Sequence, residues 1–326
     1  MTPQPLQAEE AAWFGSTFDQ MVATVERAVL GKTHVVRLTF TCLLAGGHLL
    51  LEDFPGTGKT SLARALANAV DGSHNRIQFT PDLLPSDVTG VSIYDQTTRS
   101  FDFHRGPIFA SIVLADEINR ASPKTQSALL EVMEEGTVTY DGTAYPVGRP
   151  FMVIATQNPI EQAGTYRLPE AQLDRFLMKT SLGYPDHATT VRLLADAATR
   201  DRAGIITRPV VAATVVDQMS DMAARVHLDP SILEYVSRIA ERSRELSTVQ
   251  VGVSVRGCLA LVRCSRAWAA AQGRAHVLPD DVKDLAVPVL AHRLSLDPES
   301  ELTGTTSEDV IRDVMLELDP PRVRVG

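Results

Sequence analysis

A glycine-rich turn that ends in Gly58-Lys59-Thr60 carries the clearest chemistry in this sequence. The apolar run Leu49–Leu51 before the turn predicts a strand, and residues that favour a helix follow from Ser61. Backbone N–H groups exposed by small residues can surround the β- and γ-phosphates of a nucleotide, and a helix N-terminus favours their negative charge. Lys59 would neutralise phosphate charge, and the Thr60 hydroxyl would bind Mg²⁺. The pattern therefore predicts a site for a nucleoside triphosphate; the alternative is an ordinary strand–turn–helix junction.

The turn departs at one position from the strict pattern G-x-x-x-x-G-K-[ST], because Asp53 stands where the first glycine is usual. An exposed carboxylate beside phosphates would weaken nucleotide binding by up to about 1 kcal/mol. Asp53 lies at the predicted end of the strand, before the loop surrounds the phosphates, so we expect binding to survive. The residues predicted to bind nucleotide here are Pro55, Gly56, Thr57, Gly58, Lys59, Thr60 and Ser61.

Two adjacent carboxylates, Asp116 and Glu117, follow the apolar run Ile112–Ala115. Hydrolysis of a nucleoside triphosphate needs one carboxylate near Mg²⁺ and a second that orients and activates the attacking water. Asp116 suits the first role, as a magnesium ligand together with Thr60, and Glu117 suits the second. A strand that ends in Asp-Glu is by itself more typical of a helix-capping junction, but downstream of a phosphate loop it indicates a catalytic pair.

Asn158 ends a further predicted buried strand, Phe151–Ala155, through the short polar segment Thr156-Gln157. Its side-chain amide both donates and accepts hydrogen bonds, so it could hold the attacking water or contact the γ-phosphate. A turn-forming Asn before Pro159 is an equally good interpretation.

Three arginines are candidates for contacting phosphate from outside the loop. Arg175 follows a short predicted helix and could reach the γ-phosphate bound by a neighbouring subunit, where a planar guanidinium stabilises the charge of the transition state. The alternative for Arg175 is a surface arginine paired with Asp174 or Glu170. Arg167 is a weaker candidate for the finger role. Arg256 opens a later helix and could contact phosphate from above, although a solvated arginine at a helix start is the simpler interpretation.

Short apolar runs alternate with helical segments in the first half of the chain, which predicts an α/β fold with a parallel sheet covered by helices. Expected strands are 49–51, 77–79, 112–115, 151–155 and 176–181, and expected helices are 18–30, 33–45, 124–135 and 170–174. Alternating segments separated by turns predict two inserted β-hairpins, 90–103 and 137–147, the second with an Asp141-Gly142 turn.

Helical patterns dominate after residue 186, which predicts a second, all-α domain. Its expected helices are 188–200, 210–225, 230–246, 255–272 and 279–294, with a short amphipathic segment over 307–316. We therefore divide the chain into a flexible tail (1–17), an α/β core (18–184) and a helical lid with the C-terminal segment (185–326).

The composition is typical of a soluble globular protein, with 44% hydrophobic and 22% charged residues among 326. The net charge of −9 argues against broad nucleic-acid binding. The three cysteines form no Cys-x-x-Cys pair, which favours a reducing compartment. The N-terminus lacks the pattern of a signal peptide, and the longest apolar stretch, 38–51, is interrupted by Gly46-Gly47-His48. We expect a cytoplasmic protein without a membrane span.

Taken together, these motifs resemble those of the MoxR family of AAA+ ATPases over residues 20–320. The stretches that carry the resemblance include Asp53–Thr60, Phe79–Asp87, Phe103–Phe109, Asp116–Ala121, Ala155–Pro159 and Leu168–Phe176. The resemblance implies a Rossmann-like ATPase core with a helical lid, ATP and Mg²⁺ as cofactors, and a ring homo-oligomer, with a hexamer expected. One further departure is that Ser254-Val255-Arg256 lacks the proline often found before this arginine.

The resemblance also implies roles for residues that their own chemistry leaves open. Asn158 matches the family's first sensor, Arg175 its arginine finger acting in trans, and Arg256 its second sensor. Val29 to Lys32 match the segment that lines the adenine, with Val29, Leu30 and Gly31 as the candidate binding residues, and the two hairpins match insertions that face the ring pore.

The function expected from this resemblance is Mg²⁺-dependent ATP hydrolysis coupled to chaperone-like remodelling of a client protein. A von Willebrand factor A domain protein is the expected partner. The alternatives are an ATPase subunit of a metal-insertion complex resembling magnesium chelatase, an ATP-gated assembly module that does not hydrolyse ATP, and a nucleic-acid motor. The complete set Asp116, Glu117, Asn158 and Arg175 argues against the assembly module, and the acidic balance argues against the nucleic-acid motor.

Overall fold

The computed structural model describes residues 4–54, 56–97, 99–158, 165–199 and 209–321, apart from the side chains of 196–199. Alternating helices and strands build its first half, and helices dominate its second half. The strands are β1 (Leu49–Glu52), β2 (His74–Gln78), β3 (Gly90–Asp95), β4 (Ser100–Arg105), β5 (Ile112–Asp116), β6 (Thr137–Tyr140), β7 (Thr143–Pro146), β8 (Met152–Gln157), β9 (Met178–Thr180), β10 (Val249–Val251) and β11 (Ser295–Leu296).

The helices cover the sheet of the first half and build the second half. They are α1 (Ala8–Glu26), α2 (Thr33–Leu44), α3 (Lys59–Ala69), α4 (Pro85–Thr89), α5 (Pro123–Glu135), α6 (Glu170–Leu173), α7 (His187–Thr199), α8 (Ala213–Ala224), α9 (Pro230–Glu245), α10 (Val255–Ala271), α11 (Pro279–Leu290), α12 (Pro298–Leu302) and α13 (Ser307–Glu317). Two 3₁₀ turns, Ile118–Arg120 and Ala291–Arg293, complete the set among the described residues.

A five-stranded parallel sheet in the order β2-β5-β8-β1-β9 forms the centre of the α/β half. Alternate residues of β1 enter different hydrophobic clusters: Leu49 and Leu51 pack with helices that include α1 and α2, whereas Leu50 packs with residues of α5. Burial on both faces explains why the strands read as continuous apolar runs. The predicted α/β fold with a helical lid is confirmed.

The sheet has two ends that matter below. We call the end at which β1, β5 and β8 finish the carboxyl edge, and the end at which they begin the amino edge. All five strands are parallel, so residues that follow different strands meet at the carboxyl edge, where ligands of open α/β sheets bind.

The N-terminal segment differs from the expected flexible tail, because α1 begins at Ala8 rather than near residue 18. Ala11 and Phe14 are fully buried on the same face as Phe18, and α1 packs against α10 of the helical half. Glu10 caps the first turn by accepting from the Gln7 N–H. The division of the chain at residues 184 and 185 stays a prediction.

Both predicted hairpins form, as β3–β4 and β6–β7. Asp141 and Gly142 have φ of 47° and 74°, the left-handed conformation that a two-residue hairpin turn requires. The hairpins contact each other through aromatic rings: Phe103 of β4 stacks on Tyr145 of β7, with ring centroids 4.3 Å apart. Among the described residues, no helix has the length and apolar character needed to cross a membrane.

Candidate active site

The glycine-rich turn lies between β1 and α3 at the carboxyl edge. Gly56 and Gly58 have φ of 82° and 101°, conformations that glycine adopts without a steric penalty, and a Cβ built on either would meet no atom within 4 Å. Helix α3 begins at Lys59, and no side chain caps its N-terminus. Open backbone N–H groups at a helix start suit phosphate oxygens, so the described residues of the turn and of the start of α3 fit a nucleoside triphosphate.

Lys59 folds back over the turn. Its ammonium group donates to the backbone carbonyls of Asp53 and Phe54, at 3.2 and 3.1 Å. Thr60 and Ser61 are exposed in the first turn of α3, whereas Thr57 is buried and donates to the Phe54 carbonyl. The lysine and the hydroxyl predicted to bind phosphate and Mg²⁺ therefore lie on the same open end of the helix.

The Asp53 carboxylate points away from the turn. It is 2% exposed, and its two oxygens accept from the backbone N–H groups of Leu182 and Gly183, at 2.6 and 2.8 Å. These residues follow β9, so Asp53 joins the start of the phosphate turn to the connection between the sheet and α7. The charge that raised concern in the sequence is neither exposed nor directed at the phosphate position.

Asp116 ends β5 and is held by two partners. Its Oδ1 accepts from the Thr156 hydroxyl and its Oδ2 from the Arg76 guanidinium, both at 2.6 Å. Thr156 also accepts from the Glu117 N–H at 2.9 Å, so one hydroxyl fixes both carboxylate residues. A buried, oriented carboxylate of this kind is a suitable magnesium ligand, and the oxygen chemistry of Asp116 and Thr60 fits that cation.

Glu117 has a left-handed backbone, with φ of 58°. Its Oε2 accepts from Gln78 at the end of β2 and from Arg120, each at 3.0 Å. A non-glycine residue in this conformation costs free energy, and such strain is common where a side chain must be directed at a site. Glu117 is therefore turned to the carboxyl edge and held there by two donors.

Asn158 follows β8, which lies between β5 and β1 in the sheet. Residue 157 is opposite Glu52, the last residue of β1. The structure thus brings Lys59, Asp116, Glu117 and Asn158 to the same edge, as their positions after parallel strands predict.

The segment predicted to line the adenine lies near the connection to the helical half. Gly31 has φ of 73°, and a Cβ there would lie 2.9 Å from the Thr189 hydroxyl of α7. Lys32 donates to the Tyr184 carbonyl at 2.8 Å, and Tyr184 stacks on Phe54. Val29 is buried and Leu30 is half-buried. Lys32 and Tyr184 therefore connect this segment to Phe54, which precedes the glycines of the phosphate turn.

Arg175 and Arg256 lie elsewhere, at the amino edge. Residue 178 is opposite Leu49, so Arg175 precedes the start of its strand. Both guanidinium groups pair with Glu134 near the end of α5, Arg175 at 3.2 Å, and Arg256 also lies 3.7 Å from the Asp174 carboxylate. Strand β1 has four residues. It separates the two edges by about 13 Å at roughly 3.3 Å per residue. The two arginines are thus brought to each other and not to Lys59; Arg167, the weaker candidate, is exposed.

A buried histidine organises the amino edge. His48 precedes β1; its Nε2 donates to the Met133 carbonyl and its Nδ1 accepts from the Val153 N–H, both at 2.9 Å. Burial lowers the pKa of His48 to about 4. The neutral ring therefore links α5, one residue before Glu134, to β8 and β1.

Several site residues escaped the sequence analysis. Arg76 and Gln78 alternate at the end of β2, a spacing of two that puts both side chains on one face, and this signal was readable. Thr156 lies in the stretch Ala155–Pro159 that carries the family resemblance, but the sequence did not indicate a role for its hydroxyl. Glu134 carried no local signal, because its partner Arg256 is 122 residues away.

Comparisons with known proteins agree with this geometry. A family model described as the ATPase family associated with various cellular activities (AAA) matches residues 48–178, and one described as the AAA lid domain matches residues 241–314. The chain is 47% identical to the uncharacterized protein YeaC of Bacillus subtilis, over 92% of this chain and 93% of that protein. It is 37% identical to the protein named chaperone MoxR1 of Mycobacterium tuberculosis, over 98% and 86%.

A crystal structure from Cytophaga hutchinsonii, provisionally described as an ATPase, superimposes with a TM-score of 0.89 at 35% identity, covering 96% of this chain and 98% of that one. The fold and the site thus define an AAA ATPase core followed by its lid domain. The chain belongs to the MoxR family of AAA+ ATPases.

Proposed function

We propose that this protein hydrolyses ATP with Mg²⁺ in sites shared between neighbouring subunits of a ring, and that hydrolysis drives chaperone-like remodelling of a client protein. The observation that carries the proposal is the separation of the candidate catalytic residues between the two edges of one sheet. Lys59, Asp116 and Glu117 lie at the carboxyl edge, whereas Arg175 and Arg256 share Glu134 at the amino edge.

The carboxyl edge supports the hydrolytic half of the proposal. Lys59 and the N–H groups at the start of α3 would hold the phosphates, and Thr60 and Asp116 would hold Mg²⁺. Bound Mg²⁺ neutralises phosphate charge and polarises the phosphoryl group. Glu117 would accept a proton from the attacking water, and Asn158 would orient that water.

The amino edge supports the shared-site half. A guanidinium that stabilises the transition state must contact the γ-phosphate, and neither arginine shares an edge with the phosphate turn of its own chain. In a closed ring, contacts between unlike faces let the amino edge of one subunit meet the carboxyl edge of the next. Both arginines would then serve the neighbour's ATP.

The first test replaces Glu117 by Gln, which removes the base and keeps the phosphate turn intact. We expect this variant to bind a fluorescent ATP analogue with an affinity close to that of the natural protein. Steady-state hydrolysis should fall by at least 100-fold, since general base catalysis contributes about 10² to 10⁴. Normal turnover would contradict the role given to Glu117.

The second test mixes two inactive variants. Arg175→Ala keeps the phosphate-binding lysine but lacks the arginine finger. Lys59→Ala keeps the arginine finger but lacks the lysine of the phosphate turn. Mixed rings should regain part of the activity, because a Lys59→Ala subunit can supply Arg175 to its neighbour. The matched control mixes Lys59→Ala with Glu117→Gln, whose defects lie at the same edge, so that pair should stay inactive. Absence of rescue in the first mixture at every ratio would refute shared sites.

The proposed ring is a hexamer, and its proposed partners are a von Willebrand factor A domain protein and a client. The relative named chaperone MoxR1 supports the client in this proposal; the hexamer and the von Willebrand factor A domain partner rest on the family resemblance. Sedimentation of Glu117→Gln with ATP should yield a six-subunit species. The same ATP-trapped protein should retain partners that Lys59→Ala does not retain; equal recovery with both variants would argue against ATP-gated binding.

A further inference from the structure

Arg293 is a buried cation that no sequence motif singled out. It ends the 3₁₀ turn Ala291–Arg293 after α11, and its side chain is 3% exposed. Its Nη1 donates to the Val289 carbonyl within the lid. Its Nη2 leaves the lid and donates to the carbonyls of Asp174 and Phe176, at 3.2 and 2.9 Å.

Those two carbonyls belong to the residues on either side of Arg175. The Arg293 Nε also lies 2.8 Å from the Asp174 carboxylate, as an ion pair without the alignment of a hydrogen bond. One guanidinium therefore contacts the backbone before and after Arg175, while the Arg175 side chain is free to extend towards Glu134. Among the described contacts, no other residue of the lid donates hydrogen bonds both to residue 174 and to residue 176.

A buried arginine is a costly way to fill space. Burial lowers the pKa of the Arg293 guanidinium, and the nearby Asp174 carboxylate opposes that shift. An apolar side chain of similar volume would pack the same interface without desolvating a charge. A planar donor group, however, can fix several carbonyls at once in one orientation.

We propose that Arg293 is a positioning residue for Arg175: it attaches the backbone of residues 174–176 to the lid, so that the orientation of the lid decides where the finger is presented. This inference rests on the proposed function, in which Arg175 acts on the ATP of a neighbouring subunit. The lid also reaches the same segment through His292, whose Nε2 bonds to the Phe176 carbonyl at 3.0 Å, and through Arg256, which lies 3.7 Å from Asp174. A rotation of the lid therefore moves both arginines together.

The competing explanation is that Arg293 only seals the contact between the lid and the core. The two explanations differ in what a substitution changes. If Arg293 only packs the contact between lid and core, its substitution lowers the stability of the whole chain and, through it, every activity equally. A positioning residue affects the catalytic rate with ATP bound and the mobility of residues 174–177, while affinity for ATP stays the same.

The test uses the full chain with Arg293→Lys and Arg293→Ala. Lysine keeps a positive charge but cannot bridge two carbonyls in one plane, so it separates bridging from charge if the alanine variant folds poorly. The matched control is Arg274→Ala, which removes another partly buried lid guanidinium, one that pairs with Asp281 inside the lid at 2.8 Å. Thermal unfolding of all variants is measured first, so that rates are compared at a temperature where each is folded.

We expect hydrogen exchange of the amides of 174–177 to become faster in both Arg293 variants and to stay unchanged in Arg274→Ala. Affinity for an ATP analogue should stay within about twofold, and kcat should fall by about 100-fold, the usual effect of misplacing a catalytic group by 1 Å. Mixing Arg293→Lys with Lys59→Ala should restore part of kcat, because the second chain supplies a correctly held finger.

Two outcomes would overturn the inference and leave the proposed function intact. One is unchanged hydrogen exchange at residues 174–177. The other is an inactive Arg175→Ala together with a kcat in Arg293→Lys equal to that of Arg274→Ala. Full activity in Arg175→Ala would instead refute the proposed function. Hydrogen exchange would still decide whether Arg293 holds the segment, because that measurement does not depend on hydrolysis.

Discussion

Replacing Asp53 by glycine restores the strict phosphate-loop pattern, but we expect this substitution to destabilise the folded protein. The Asp53 carboxylate accepts two backbone N–H groups, at 2.6 and 2.8 Å, in a buried environment. Hydrogen bonds to a charged group contribute roughly 1.5 kcal/mol or more each, and removing the acceptor leaves both N–H groups of Leu182 and Gly183 without it. Asp53→Gly should therefore lower the free energy of unfolding by about 3 kcal/mol.

Affinity for ATP should not improve in this variant, because the carboxylate is directed at residues 182 and 183 and not at the phosphate turn. Urea unfolding gives the stability change, and titration with a fluorescent ATP analogue gives the affinity. Asp53→Asn is the graded control: it keeps one accepting oxygen but places an NH2 donor opposite the other N–H, so it should retain only part of the stabilisation. A stable Asp53→Gly protein that binds ATP more tightly than the natural one would refute this reasoning.

Two further predictions concern residues behind the site. The pKa of His48 is lowered from 6.5 to about 4 in the fold, so the unfolded chain takes up a proton first as the pH falls. The stability due to neutral His48 is complete above pH 6.5 and is lost towards pH 4; between pH 7.5 and 5 the loss should be about 2 kcal/mol. Urea unfolding at both values should show this extra loss in the natural protein and not in His48→Gln, and equal losses would contradict it. Thr156→Val removes the donor to Asp116 and the acceptor for the Glu117 N–H, so kcat should fall at least tenfold with little change in ATP affinity. Thr39→Val, which removes a buried hydroxyl that donates to the Val35 carbonyl within α2, is the control, and a similar kcat in both variants would be evidence against the Thr156 role.

The carboxyl edge was readable from the sequence because its determinants are local. Glycines before Lys59, and polar residues after apolar runs, mark strand ends, and parallel strands finish at one edge. The positions of Asp116, Glu117 and Asn158 follow from that rule alone.

The amino edge was not readable, because its contacts join residues far apart in the chain. Glu134 and Arg256 are 122 residues apart, and Arg293 and Phe176 are 117 residues apart. No periodicity or spacing connects such pairs. The partners of Asp53 were not readable for the same reason: the mismatch to the local pattern has its explanation 129 residues later, at Leu182.

The start of α1 was missed for a different reason. Acidic residues beside prolines are typical of a solvated tail, but Glu9 and Glu10 lie in the first helical turn, where negative charge favours the helix N-terminus. The apolar spacing from Ala11 to Phe18 continues the helical pattern upstream of residue 18.

The ring contact between Phe103 and Tyr145 joins the two hairpins to each other. The exposed rings of Tyr94 and Phe101 stand on the first hairpin, and Phe103 of the same hairpin contacts β7, which pairs with β6. Strand β6 starts at Thr137, immediately after the helix that carries Glu134. A series of contacts therefore joins the exposed rings of the first hairpin to the helix that carries Glu134, the carboxylate that both arginines share, without passing through the phosphate turn.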